Sequence, residues 1–210
     1  MASAGDPRLS SADVRSGARI GDAPELQVVF VCTANRARSP FAAALMRRQL
    51  AAFSADVESF GTMEAAAGAP ALAGAVRAAN EFGIDLSGHR ARPLPPAGLD
   101  GRALVIGFEL FHVAAAVVVG GAERSRTFLL TELATTLEDS IHAAPVAHPS
   151  RDALLALADG QRRARGGLPT PIADPVGASE RRFHDIFHEI DRLVTVVATS
   201  LVSASIERPD

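Results

Sequence analysis

Neither tryptophan, tyrosine nor lysine occurs in the chain, and cysteine occurs once. A lone thiol excludes an internal disulfide, so nothing in the composition marks an oxidising compartment and the cytoplasm is the expected location. Without lysine, arginine supplies all 21 basic residues, which together with the abundance of alanine reads as the imprint of a GC-rich genome rather than as chemistry. Without tyrosine or tryptophan, any pocket that grips an aromatic ring has to use phenylalanine, methionine or aliphatic side chains. No apolar run approaches the roughly 18 residues of a membrane-spanning helix; the most apolar stretches, Val113 to Val119 and Val194 to Val202, are short or interrupted by polar residues. The net charge of -3 gives no overall attraction to nucleic acid or anionic lipid. Neither is expected as a partner, and any anion binding has to come from a local site.

A chain of 210 residues with 48% hydrophobic content is long enough for one compact domain. Residues 1–25, rich in Ser, Ala, Gly and Asp and without apolar periodicity, read as a mobile tail, and the folded unit is expected over 26–204. The β-branched run Gln27 to Val31 stops abruptly at Cys32, as a buried parallel strand would. Ser39-Pro40 then opens a helical pattern through Ala42, Met46, Leu50 and Phe53. A second strand is expected over Asp56 to Gly61 and a helix over Ala71 to Phe82, ending at Gly83. Ala103 to Phe108 and Arg126 to Leu130 read as third and fourth strands, the former followed by a helix from Glu109 and the latter by a short helix. Thr135 to Ala173 is expected to be a long surface excursion with one helix from Ser150 to Ala158. From Ser179 a last helix carries an apolar stripe of Phe183, Phe187, Ile190, Val194, Val197 and Leu201. Alternating strands and helices of this kind imply an α/β fold with a parallel sheet covered on both faces.

The segment Cys32-Thr33-Ala34-Asn35-Arg36-Ala37-Arg38-Ser39-Pro40 carries the chemistry. It places a thiol and a guanidinium at the two ends of a tight loop between a strand and a helix. Backbone N–H groups of Thr33, Ala34, Asn35, Arg36, Ala37, Arg38 and Ser39 can point inward, the helix start adds positive potential, and the arginine fork matches two oxygens of a phosphate. The same field favours the thiolate, the form that acts as a nucleophile. Ser39, next to Arg38, is placed to donate a hydrogen bond to the sulfur.

This loop resembles that of the low-molecular-weight protein tyrosine phosphatase family, in which Cys is followed by five residues and then Arg-Ser-Pro. Ser59-Phe60-Gly61-Thr62, Gly83-Ile84 and His89-Arg90-Ala91-Arg92 resemble further family segments, and Asp174-Pro175 matches the late Asp-Pro. The resemblance, from about Gln27 to Leu201, implies a three-layer α/β/α sandwich on a four-stranded parallel sheet, with the phosphatase loop between the first strand and first helix. It implies Cys32 as nucleophile, Arg38 as the phosphoryl-holding group and Asp174 as general acid. It also implies Asn35, Ser39, Ser59 and His89 as a hydrogen-bonded network bracing the loop, and neither a metal nor a cofactor. A phosphorylated protein or a small phosphoester is the implied substrate.

The chain departs from the family pattern at Ala34, where Gly is usual, and at Ala37, where many members carry a second Cys. Arg36, Ala65, Val176 and Gly177 replace the residues that flank a phosphotyrosine ring, leaving Phe60 or Met63 to fill in. Phosphotyrosine, phosphoarginine, a small phosphoester and arsenate therefore all stay open. Arsenate reduction would require an external small thiol, because one cysteine cannot form an internal relay, and a phospho-binding pseudo-enzyme is a third reading. His184 and His188 place two imidazoles one helical turn apart, but no third ligand is evident from the sequence and the pair reads as a solvated helix face. Arg162, Arg163 and Arg165 read as an exposed linker, and His112, His142 and His148 as ordinary surface or packing residues. Oligomeric state is not legible.

Overall fold

The computed structural model describes residues 26–102, 104–143, 149–164 and 170–206. The tail at 1–25, Ala103, His148 and Arg165 lie outside the described residues, as do the side chains of His142 and Arg163. Ten elements follow in the order β1 (Leu26–Cys32), α1 (Arg38–Gln49), β2 (Ala55–Gly61), α2 (Ala73–Glu81), β3 (Leu104–Gly107), α3 (Leu110–Val118), β4 (Thr127–Leu129), α4 (Leu130–Ala143), α5 (Arg151–Ala164) and α6 (Glu180–Ile206). The four strands form one sheet in the order β2-β1-β3-β4, with all three pairings parallel.

The β-branched run of β1 is buried on both faces, and side-chain alternation divides it between two cores. Val28, Phe30 and Cys32 join the larger core with Leu104, Ile106 and Phe128, beneath α1 and α6. Val29 and Val31 face the opposite way into a smaller core with Val105, Leu94, Leu99 and Ala116 of α3. The result is the expected α/β/α sandwich. All six residues of the anticipated α6 stripe are buried in the larger core, joined by Ile186, Leu193 and Ala198. Among the described residues no helix is long and apolar enough to cross a membrane.

Three readings of the sequence need correction. The helix after β4 is not short: α4 runs for 14 residues and buries Leu130, Leu133, Ala134 and Leu137. Among the described residues of the stretch from Thr135 to Ala173, the helix anticipated from Ser150 is present as α5, but it is no surface excursion, because it packs Leu154, Leu155 and Ala158 into the same core. Both helices are legible in the sequence; the full length of α4 and the burial of the two are decided by the neighbouring elements. Arg162 is not an exposed linker residue either. It donates to the carbonyls of Thr127 (2.8 Å) and Arg124 (3.3 Å), pairs with Asp159 and lies 4.5 Å above the Phe128 ring.

Candidate active site

In an open parallel sheet the crevice lies beyond the carboxyl ends of the strands, where the chain turns in opposite directions from neighbouring strands. Here β1 leads to β2 on one side while β3 lies on the other, and the loop Thr33–Ala37 occupies that point. Below it, β2 ends at Gly61, where a Cβ would stand 2.8 Å from the carbonyl carbon of Ala34 and the amide nitrogen of Asn35. Only glycine lets the two backbones approach so closely.

The loop is folded around Asn35, fully buried and left-handed at φ 53, a region Asn tolerates better than most residues. Its Nδ2 donates to Ser39 Oγ and Ser59 Oγ, both at 2.9 Å, and its Oδ1 accepts from the Arg92 amide at 2.8 Å. Its carbonyl oxygen accepts from His89 Nε2 at 2.6 Å. Burial lowers the pKa of His89, keeping its ring neutral. The structure thus gathers the four anticipated bracing residues, Asn35, Ser39, Ser59 and His89, and adds the Arg92 backbone. Arg92 also lies 4.5 Å above the Phe60 ring and pairs with Glu58 at 3.0 Å. Phe60 is therefore buried under Arg92, not available to line a substrate cleft.

Cys32 is a free, buried thiol. Its Sγ lies 2.9 Å from Ser39 Oγ and accepts from the Asn35 amide at 3.3 Å. Helix α1 begins without a side-chain cap at Ala37, and the amides of Ala34, Arg36 and Ala37 have no acceptor among the described residues. Uncapped N–H groups at a helix start, beside a guanidinium, form a site for a tetrahedral anion.

Arg38, only 2% exposed, is oriented from two further segments. Nη1 donates to Glu109 Oε1 at 2.6 Å and to the Ile172 carbonyl at 2.9 Å, while Nη2 donates to Asp174 Oδ2 at 2.7 Å and Thr33 Oγ1 at 3.3 Å. Ile172 is itself tied to the end of β3, its amide donating to the Phe108 carbonyl at 2.9 Å. That bond brings Asp174 to the cleft. The cleft measures about 270 Å³, and Cys32, Thr33, Ala34, Arg36, Ala37, Arg38, Asp174, Met63, Leu72 and Val176 line it.

The family model for low molecular weight phosphotyrosine protein phosphatases matches residues 27–153 of the chain. The chain belongs to this family. It is a phosphatase-type hydrolase whose single cysteine stands at the phosphate-binding loop. Asp174 lies beyond the matched residues. Solved structures share the fold: the YwlE arginine phosphatase of Geobacillus stearothermophilus at 24% identity and TM-score 0.64, over 88% of this chain and 98% of that one. The low molecular weight protein tyrosine phosphatase of T. tengcongensis gives 24% and 0.60 over 82% and 97%, and Vibrio vulnificus Wzb, in complex with benzylphosphonate, gives 21% and 0.59 over 83% and 97%. No curated protein matches the chain by sequence.

Glu109, His112 and Ile172 belong to this phosphatase site and were not anticipated. His112, read from the sequence as an ordinary surface or packing residue, is fully buried and also bonds the loop. Its Nδ1 accepts from the Glu109 amide at 3.1 Å, which leaves the proton on Nε2 to be donated to Thr33 Oγ1 at 3.0 Å. Burial, reinforced by Arg38, lowers its pKa to about 4. A neutral His112 therefore fixes the hydroxyl of the residue after Cys32. The available signal was position: Glu109 and His112 follow directly on β3, at the carboxyl end where sites of this fold form.

Proposed function

We propose that this phosphatase hydrolyses phosphotyrosine on proteins, through a thiophosphate on Cys32 with Asp174 as general acid and then base, and that it works in the cytoplasm. The observation that carries the reading is the meeting of Cys32, Arg38 and Asp174 on one cleft whose floor is a loop with free amides. In the first step the Cys32 thiolate attacks phosphorus as the P–O ester bond breaks. Asp174 gives its proton to the leaving oxygen, while Arg38 and the loop amides hold the three equatorial oxygens. Nη1 of Arg38 keeps Glu109 and the Ile172 carbonyl, and Nη2 exchanges Asp174 for a phosphoryl oxygen, which frees the carboxyl group. In the second step Asp174 takes a proton from water, the hydroxyl attacks phosphorus, the S–P bond breaks, and phosphate leaves. The Ser39 hydroxyl and the Asn35 amide stabilise the departing thiolate.

The walls above the loop are Met63, Leu72 and Val176, apolar surfaces that suit a flat ring without needing an aromatic partner. Arg36, whose Nε donates to the Pro70 carbonyl at 2.7 Å, puts positive charge at the cleft. That charge favours acidic sequence around the phosphorylated residue and disfavours the guanidinium group that phosphoarginine would place beside it. Benzylphosphonate in the structurally similar Wzb supports an aryl substrate, and the likeness to arginine phosphatases makes phosphoarginine the competing one. The test is kcat/KM on peptides of one acidic sequence carrying phosphotyrosine, phosphoarginine or phosphoserine. Phosphotyrosine is expected to lead by about 100-fold, in line with the contribution of ring contacts and charge. Preference for phosphoarginine would replace this reading.

A further inference from the structure

Outside the catalytic cleft, helices α2 and α6 meet along a seam with three successive links. A Cβ on Gly74 would stand 2.9 Å from the Phe183 ring, Arg77 pairs with Glu180 at 2.7 Å, and Glu81 Oε2 approaches His184 Nε2 at 3.1 Å. The last link does not stop at a pair. His184 Nε2 also lies 3.0 Å from His188 Nε2, one helical turn further along α6, and the three ligand atoms all fall within 4.8 Å of one another.

This geometry is poorly served by hydrogen bonding. A single Nε2 proton on His184 can satisfy either the His188 nitrogen or the Glu81 oxygen, and if His188 donates instead, the Glu81 oxygen is left facing the His184 nitrogen without a proton between them. A cation at their centre satisfies all three. With metal–ligand bonds of 2.0–2.1 Å, neighbouring ligand atoms around a tetrahedral zinc stand roughly 3.3 Å apart, close to the two short separations seen here. Glu81 is exposed and free to close the remaining gap by a side-chain rotation. The imidazoles are braced: the Phe82 ring meets His188 edge-on at 4.7 Å, and Phe82 is held edge-on to Phe41 at 5.2 Å.

We propose that Glu81, His184 and His188 form a binding site for a divalent transition metal of the zinc class, clasping the end of α2 to α6. Two imidazoles and one carboxylate select Zn²⁺, Co²⁺ or Ni²⁺ over Mg²⁺ and Ca²⁺, which prefer all-oxygen sets. The half-exposed position leaves a fourth place for water. The metal does not touch the reacting atoms, since none of its three ligands lines the cleft. The sequence hid the third ligand because Glu81 lies on a separate helix, far from the histidine pair in chain order.

The test uses the full-length chain without an affinity tag, stripped of metal and carrying Cys32→Ser so that the thiol cannot bind. Titration with Co²⁺ followed by visible absorption, and with Zn²⁺ by calorimetry, should show one equivalent bound with a dissociation constant in the micromolar range or below. His184→Ala and His188→Ala should each weaken binding by about 10- to 100-fold, and Glu81→Gln by a smaller factor. Zn²⁺ at a hundred times its dissociation constant should raise Tm by about 5 °C, an increment that His184→Ala abolishes. Circular dichroism of the variants confirms that each is folded. Equal affinity in the variants and their parent, or binding no tighter than millimolar, would overturn the proposal, while neither result bears on hydrolysis at Cys32.

Discussion

At Asn35 one side chain serves Ser39, Ser59 and the Arg92 amide, while its own backbone reaches the Cys32 sulfur and the His89 ring. Removing the amide strands several buried polar groups, each of which costs about 1–3 kcal/mol when left unpaired. Asn35→Ala should therefore lower the unfolding free energy by about 3 kcal/mol in urea titrations and reduce kcat more than tenfold. A stability unchanged within 0.5 kcal/mol, taken as the scale of a neutral surface substitution, would show that the network does not brace the loop. His112 makes the fold sensitive to acid. Its folded pKa of about 4 lies below the roughly 6.5 of an unfolded histidine. Between those values the unfolded chain takes up a proton that the fold refuses, so this contribution is complete above about pH 6.5 and declines as the pH falls towards 4. The loss amounts to about 3 kcal/mol, and His89, lowered by burial as well, adds to it in the same sense. Urea unfolding between pH 4 and 7 should show this slope in the parent and a flatter one in His112→Asn. Identical slopes would place the acid sensitivity elsewhere.

Among the elements, β1 and the start of α1 were the most legible, because the information is local. A buried run ending at the single cysteine, with Arg38-Ser39-Pro40 opening a helix, names both the loop and its flanks. What the sequence could not disclose is how other elements hold the loop from outside. Arg38 is oriented by Glu109 after β3 and by the Ile172 carbonyl ahead of α6, and neither contact leaves a periodic trace. Gly61 at the end of β2 has the same character. A methyl group there meets backbone atoms of Thr33, Ala34 and Asn35 at 2.8–2.9 Å, so the loop itself has to yield. Gly61→Ala should leave a folded protein whose kcat/KM on an aryl phosphate is down by about 100-fold, the scale set by misplacing catalytic groups by about an ångström. Unaltered kinetics would mean that the close approach of β2 does not shape the loop.

For the molecule as a whole, the sandwich followed from the alternation of strands and helices, whereas the packing of α4 and α5 did not. Leu154 and Leu155 sit in a short apolar run with Leu157, which the sequence alone leaves free to lie on the surface, and packing against α4 and α6 turns the first two into core. Leu155→Ala should cost about 2–4 kcal/mol, as for a buried leucine; the surface excursion read from the sequence would have made it nearly neutral. The chemistry of the whole molecule turns on the sulfur at the head of the loop. Its most direct test is rapid-quench mass spectrometry during hydrolysis of an aryl phosphate by the parent, Cys32→Ser and Asp174→Ala. The parent should pass through a phosphorylated Cys32, Cys32→Ser should release no phosphate, and Asp174→Ala should turn over about 100- to 1,000-fold more slowly. Hydrolysis that survives loss of Cys32, or a phosphoryl group found on another residue, would contradict the account.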